Sequence, residues 1–356
     1  MSERTILITG IAGNLGRRLL PLLSDFEVIG VDFKPPKRTP PARFATIDLG
    51  EEASCRALIE LIQETRPASV VHLAFVTDPV TTGVLDRERM WQINIAGTAR
   101  VLEAVAGVNR MSPTVQRFIY PSSASVYGPE TPGPVDETFP LGAHTLTYAV
   151  HKKECEVVLQ RRISSLGDCN TYILRPHIYT GASMHNYLVD VLRGTAFGRG
   201  WMGRFMRKRG WRLPLLLPLG RRYPQKLLQC VHVDDVARVI EYMLRQPYQK
   251  DLAAQVLNVA GSGRPLSIAE CADIAHARMM RLPFRFLCWQ VLKFLWSTRA
   301  YAVPAEAYPY MIGSYTVNTE KLRTFLGADY DRVIRYSVEA ALRDSFQAET
   351  ATGTQN

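Results

Sequence analysis

The sequence predicts a doubly wound α/β fold, a parallel sheet covered by helices on both faces, with a smaller C-terminal α/β region. Three observations predict it. Short apolar runs alternate with longer helical patterns from the N-terminus to about residue 260. A glycine-rich loop, Gly10-Ile11-Ala12-Gly13-Asn14-Leu15-Gly16, joins the first run to the first helical stretch. The second run ends in a carboxylate, Asp32.

The elements follow in order. Thr5–Thr9 is a β-branched and apolar run, and Asn14–Ser24 opens as a helix behind Gly13. Glu27–Asp32 is the second strand, and Glu51–Thr65 the second helix. Ser69–Leu73, Gln116–Pro121, Thr171–Arg175 and Val256–Val259 complete the expected strands. Between them Glu88–Val108 and Tyr148–Ser165 read as helices. Strands this apolar suit a sheet buried on both faces. The expected organisation is a Rossmann-type domain over residues 1–180, with 231–260 returning to it. A substrate domain is expected over 181–230 and 261–346, then a small, polar, disordered tail over 347–356.

Composition narrows the class. The chain has 356 residues, 47% hydrophobic and 21% charged, which is globular rather than disordered. No apolar run is long enough for a transmembrane helix, and the N-terminus lacks the parts of a signal peptide. Cys55, Cys155, Cys169, Cys230, Cys271 and Cys288 form no CxxC pair and no zinc spacing. A reduced, cytoplasmic protein with no structural metal is expected. The net charge of +10 comes from 43 Lys+Arg against 33 Asp+Glu. Residues 193–226 alone supply ten basic side chains and no acidic one. No nucleic-acid reading module is present.

The loop chemistry points to a dinucleotide. Glycines let backbone N–H groups approach a pyrophosphate, and the helix start adds positive potential. Asp32 suits the hydroxyls of an adenosine ribose and would repel a 2′-phosphate, so NAD is favoured over NADP. Lys34, Lys37 and Arg38 follow closely and could soften that preference. Further on, Ser123 precedes Tyr148-Ala149-Val150-His151-Lys152. Tyr148 and Lys152 are four residues apart, one helical turn. An ammonium beside a phenol favours the phenolate and lowers its pKa. That suits Tyr148 as general acid/base for an alcohol–ketone pair, with Ser123 orienting the substrate oxygen.

These residues resemble the extended short-chain dehydrogenase/reductases, and within them the NAD-dependent epimerase/dehydratase family that includes UDP-galactose 4-epimerase. The resemblance spans about Thr5 to Phe346. It is carried by TGIAGNLG (9–16), IDLG (47–50), VVHLAF (70–75), NIAGTARVLEA (94–104), PSSASVYG (121–128), LRPHIYTGA (174–182), VHVDDVARVI (231–240) and LNVAG (257–261). It implies Ser123, Tyr148 and Lys152 as catalytic residues. It implies Gly10, Gly13, Asn14, Leu15, Gly16, Asp32, Asp48, Leu49, Leu73, Ala74, Asn94, Tyr148, Lys152 and Pro176 as NAD-binding residues. Ser125, His177 and Asn186 are the implied substrate contacts. It also implies a homodimer through the helices beginning near Glu88 and Tyr148.

Departures narrow the chemistry. Ala124-Ser125 replace the Asp-Glu pair of the family's dehydratases, which disfavours loss of water. Leu228 and Ile178 stand where many nucleotide-sugar epimerases carry a diphosphate-binding Arg and an Asn. The expected function is hydride transfer at a secondary alcohol/ketone of a sugar or nucleotide sugar. Two alternatives stay open: a hydroxysteroid- or lipid-type alcohol dehydrogenase at a membrane surface, and a non-catalytic NAD-binding regulatory or assembly protein. The basic segment has three readings: a solvated mobile loop, a lid over an anionic substrate, or a peripheral contact of 193–226 with an anionic membrane, Phe284–Trp296 being its partner.

Overall fold

A computed structural model describes residues 4–36, 40–77, 86–182, 184–250, 252 and 254–352, the last five as backbone. Lys37 and Arg38, expected near Asp32, lie outside the described residues.

The first half alternates strands and helices: β1 (Thr5–Thr9), α1 (Asn14–Leu19), β2 (Glu27–Asp32), β3 (Arg43–Thr46), α2 (Ser54–Thr65) and β4 (Ser69–His72). Then come α3 (Arg87–Trp91), a π-helical turn (Gln92–Ala96), α4 (Gly97–Met111), β5 (Arg117–Pro121), α5 (Thr147–Arg162), β6 (Asn170–Pro176) and β7 (Ile178–Thr180). The second half adds α6 (Tyr187–Arg193), α7 (Trp201–Lys208), β8 (Leu215–Pro218), β9 (Leu227–Leu228), β10 (Cys230–His232), α8 (Val233–Arg245) and β11 (Gln255–Val259). It ends with β12 (Leu266–Ser267), α9 (Ile268–Ile274), β13 (Met279–Leu282), α10 (Arg285–Ser297), α11 (Tyr308–Ile312), α12 (Glu320–Leu326), α13 (Tyr330–Val333) and α14 (Val338–Thr352).

Seven parallel strands form the central sheet in the order β11-β6-β5-β4-β1-β2-β3. The order reverses between β1 and β4, and open α/β sheets bind ligands beyond the carboxyl ends of the strands at such a switch point. β1, β4, β5 and β6 are buried along their whole length, as strands covered on both faces must be.

The helices depart from the expectation where local chemistry intervenes. Pro21 lacks the N–H an α-helix needs, so α1 stops at Leu19 and a 3₁₀ turn runs over Leu20–Leu23. The expected helix Glu88–Val108 is interrupted by the π turn at Gln92–Ala96, a wide turn common at functional sites. β3 was not expected. It is a short, half-exposed edge strand without an apolar run. Six residues that read as a disordered tail after Phe346 instead continue α14 to Thr352. Ala and Glu there are good helix formers, and the helix is already nucleated upstream.

The second core, around Leu192, Leu217, Leu292 and Leu342, belongs to the C-terminal region. The allocation of all of 261–346 to that region does not hold. Leu322, Leu326, Tyr330, Val333 and Ile334, on and after α12 and α13, pack with Leu257, Val259 and α8 on the central sheet. The basic segment is no unstructured loop. It contains α7 and β8, with Met206 buried and β8 paired to β13. All six cysteines are free thiols, five of them buried.

Candidate active site

The loop after β1 is built by close approach. Gly10 has φ +72°, and a Cβ there would lie 2.5 Å from the Ala74 nitrogen. A Cβ on Gly16 would lie 2.4 Å from the Ile11 carbonyl oxygen. The Gly13 N–H closes the turn on the Gly10 carbonyl at 3.0 Å. Gly13 then caps α1 without any side chain, so the N–H groups of Asn14, Leu15 and Gly16 point out of the helix start. At the end of β2, Asp32 Oδ2 accepts the Ala12 N–H at 3.0 Å and Oδ1 the Phe33 N–H at 2.8 Å. Half-burial of this carboxyl pushes its pKa up against those N–H donors. The Ala12–Asp32 hydrogen bond therefore holds the cradle after β1 against the end of β2.

A hydrogen-bonded chain ties this loop to the segment behind β4. Thr9 Oγ1 lies 2.7 Å from His72 Nδ1, and His72 Nε2 lies 3.0 Å from Thr98 Oγ1. Thr98 Oγ1 donates to the Asn94 carbonyl at 2.6 Å. Burial holds the His72 pKa down at about 3, so the ring is neutral. Leu73 and Ala74 pack against Gly10.

The Ser123 hydroxyl acts on the Tyr148 phenol and lowers its pKa. Ser123 Oγ also accepts the Ser125 N–H at 3.2 Å and the Ser125 hydroxyl at 2.9 Å. Burial pushes the Tyr148 phenol up, and the Ser123 hydroxyl pulls it partly back. The expected lowering by Lys152 is not among the influences on the phenol, which are burial and Ser123. Lys152 Nζ is turned to the Pro121 carbonyl at 2.7 Å and lies 3.8 Å over the Phe75 ring and 4.7 Å over the Tyr120 ring. Burial holds its own pKa down at about 8. The Phe75 ring also meets Tyr148 edge-on at 5.7 Å. Phe75 was missed in the sequence. It stands where the family motif ends in Ala, and that departure was the available signal.

Beside Tyr148 lies a cavity of about 200 Å³ lined by Arg87, Met90, Tyr187, Trp296 and Glu306, among others. Glu306 joins Arg87 at 2.5 Å and Thr147 at 3.0 Å. No motif announced these residues, because they come from α3, α5 and the distant turn before α11.

Several expected contacts have other partners. His177 is buried, donates Nε2–H to the Tyr315 carbonyl at 2.6 Å and accepts the Ile178 N–H at 2.9 Å. Both nitrogens are committed, so the expected substrate contact is not available to it. Asn186 caps α6, accepting the Val189 N–H and donating to the Tyr179 carbonyl. Asn94 clamps both backbone groups of Val76 and lies 3.2 Å from His151. It shapes the loop after β4 instead of facing an open crevice. Asp48 bonds Arg89 at 2.5 Å and the Gly50 N–H at 2.9 Å. Leu49 is buried under Gly97, and Pro176 ends β6 in register with Val259. Ser125 supports Ser123 and accepts Tyr310 on its carbonyl.

A buried network underlies the site. Arg175 on β6 bonds Glu156 on α5 at 2.7 Å and Tyr127 at 2.7 Å, and Tyr127 donates to Asn258 on β11 at 2.7 Å.

Comparison with known proteins gives one answer. The profile of the NAD dependent epimerase/dehydratase family matches residues 6–260. UDP-glucose 4-epimerase 4 of Oryza sativa subsp. japonica is 26% identical over 289 residues, 76% of each chain. UDP-glucose 4-epimerase of Erwinia amylovora is 31% identical over 185 residues, 48% of this chain and 52% of that one. The crystal structure of Thermus thermophilus UDP-glucose 4-epimerase with NAD superposes with a TM-score of 0.67 at 19% identity, covering 99% and 100% of the two chains. That of the Bordetella bronchiseptica enzyme WbmG with NAD and UDP gives 0.64 at 18%, covering 98% and 94%.

Proposed function

Because the chain belongs to the NAD dependent epimerase/dehydratase family, we propose that it is an epimerase or dehydrogenase that interconverts a secondary alcohol and its ketone on a nucleotide sugar. NAD is its cofactor. The observation that carries the reading is the cavity lined by Tyr148, with Lys152 one turn on and Ser123 acting on the Tyr148 phenol.

When bound, NAD supplies the acceptor and donor of hydride. The residues that would hold it are the loop 10–16, Asp32 toward the adenosine ribose, and Lys152. The chain's own work is proton handling and orientation. Tyr148 Oη, as phenolate, takes the proton of the substrate hydroxyl while the carbinol hydrogen leaves as hydride. The reverse step returns the proton to the ketone oxygen. Ser123 holds that oxygen beside Tyr148. Lys152, fixed by the Pro121 carbonyl one turn from Tyr148, would hold the nicotinamide ribose. Arg87, paired with Glu306, is the cation lining the cavity, and a phosphate would have to compete with that carboxylate for it.

The relatives named as UDP-glucose 4-epimerases support the nucleotide-sugar substrate. A second reading, an apolar alcohol, rests on the cavity's Met90, Leu146, Trp296 and Pro304 and on buried Leu228. We retain the homodimer through α4 and α5 as part of the proposal, to be read as mass in solution.

The test is turnover with NAD on UDP-sugars and, separately, on sterol-like alcohols. Interconversion of the UDP-sugars is expected. Turnover of the apolar alcohols alone would favour the second reading. Tyr148→Phe is expected to lower turnover by about 10²–10⁴-fold with NAD affinity retained. Undiminished turnover in that variant would remove Tyr148 from the role.

A further inference from the structure

The charge and the exposed aromatics of the C-terminal region coincide. On α7, Trp201 is 69% exposed and Phe205 is exposed one turn later. Phe205 meets exposed Trp211 edge-on at 6.1 Å. On and before α10, Phe284 is 71%, Phe286 67% and Phe294 61% exposed, and Leu287 is exposed as well. At 100° per residue, Phe286, Leu287 and Phe294 fall within about one third of the helix circumference. The opposite face carries Cys288 and Leu292 into the core. This is an outward apolar stripe on a helix that is already anchored.

The two helices share a surface. Gly198 and Gly200 donate to the Ala300 and Arg299 carbonyls at 2.8 Å. Met202 and Met206 of α7 pack with Leu295 of α10 around Phe197 and Ala300. Beneath α10, β8 pairs with β13, which brings exposed Met279 and Met280 beside it. Arg199, Arg204, Arg207, Lys208, Arg209, Arg212, Arg221 and Arg222 are all exposed. Residues 274–305 add Arg278, Arg281, Arg285, Lys293 and Arg299 with no acidic residue.

We propose that α7 and α10 form a docking surface for an anionic lipid bilayer, the aromatic side chains entering the headgroup boundary and the arginines meeting lipid phosphates. Charge complementarity selects the occupant. Rings and aliphatic side chains bordered by Arg and Lys are the composition of an interfacial amphipathic element. Met279, Met280, Leu287 and Leu219 would gain little from stacking on nucleobases, which argues against nucleic acid. A spanning mode is not involved: among the described residues no helix is long and apolar enough to cross a membrane. The surface also touches the site. Trp296, near the end of α10, lines the cavity beside Tyr148. A bilayer on the outer face of α10 therefore sits one helix away from that cavity. The inference does not depend on the catalytic reading, since lipid binding is measured without substrate.

The test is co-sedimentation of the full chain with phosphatidylcholine vesicles, alone or with roughly one third phosphatidylglycerol. The chain is expected to pellet with the anionic vesicles at low salt, to stay in solution with the neutral ones, and to be released at about 0.5 M salt. The variant Trp201→Ser/Phe205→Ser/Phe286→Ser/Phe294→Ser touches no cavity residue at Tyr148. It should lose at least most of the pelleting while keeping its melting temperature. Arg204→Gln/Arg207→Gln/Lys208→Gln should lose it too. No pelleting with anionic vesicles at low salt overturns the proposal, and so does pelleting unchanged in the aromatic variant. A wild-type dimer that the aromatic variant converts to monomer, without vesicle binding, would assign the surface to a second copy instead. Retention of duplex DNA without vesicle binding would assign it to nucleic acid.

Discussion

A phenol is a weak base near neutral pH unless its anion is stabilised, and at Tyr148 two influences oppose each other. Burial raises the pKa, and the Ser123 hydroxyl lowers it. Removing the hydroxyl removes the lowering influence alone. Ser123→Ala should therefore move the rise of the oxidation rate to higher pH, and cut turnover by about 10–10²-fold. A pH–rate profile of the two proteins checks the direction. A profile shifted to lower pH would contradict the hydroxyl's role. At this scale the sequence was legible where function follows from residue type and spacing. Ser123, Tyr148 and Lys152 meet because a strand end and one helical turn bring them together. It was not legible at His177, Asn186 and Asn94. Those side chains are polar and near the site, yet their partners are backbone groups: Tyr315, far along the chain, for His177, and the nearer Tyr179 and Val76 for Asn186 and Asn94. Nothing in the local sequence says which carbonyl will arrive.

Among the elements, α5 carries two of the three proposed catalytic residues, Tyr148 and Lys152, and its position is set from below. Glu156, one turn beyond Lys152, meets Arg175 on β6 in full burial. Replacing one member leaves the other charge buried without its counter-ion. Glu156→Gln should destabilise the fold by about 3–5 kcal/mol, seen as a lower urea midpoint with unchanged slope. An effect within experimental error would mean that the pair does not hold α5 to the sheet. The strands were legible because buried parallel strands are continuous apolar runs. β3, the π turn and the return of α12 and α13 to the central sheet were not. Each is decided by a contact: β2 for the edge strand, Val76 and His151 for the π turn, and β11 for the last helices.

For the whole molecule, burial lowers the pKa of His72, His177 and His151, and the first two shift most. Burial holds His72 at about 3 and His177 at about 4, against an ordinary value near 6.5. In the unfolded chain both rings take up protons below about pH 6.5, whereas in the folded chain they do not. Their contribution to stability is complete above that pH and is lost as pH falls toward 4. The melting temperature should drop between pH 6.5 and 4.5, by about 2–3 kcal/mol per pH unit in stability. His177→Asn should flatten that slope. An equal slope in both proteins would show that His177 is not the group responsible.

The place of β11 has a consequence for synthesis. β6 is fully buried between β5 and β11, but β11 lies far downstream, beyond α6, α7 and α8. On a ribosome adding about 5–20 residues per second, the edge of β6 waits roughly 4–16 s for its neighbour. During that interval the nascent chain displays an apolar strand with unpaired backbone groups, the kind of edge that recruits other chains. The same stretch between β6 and β11 that carries α7 of the basic surface thus delays closure of the sheet.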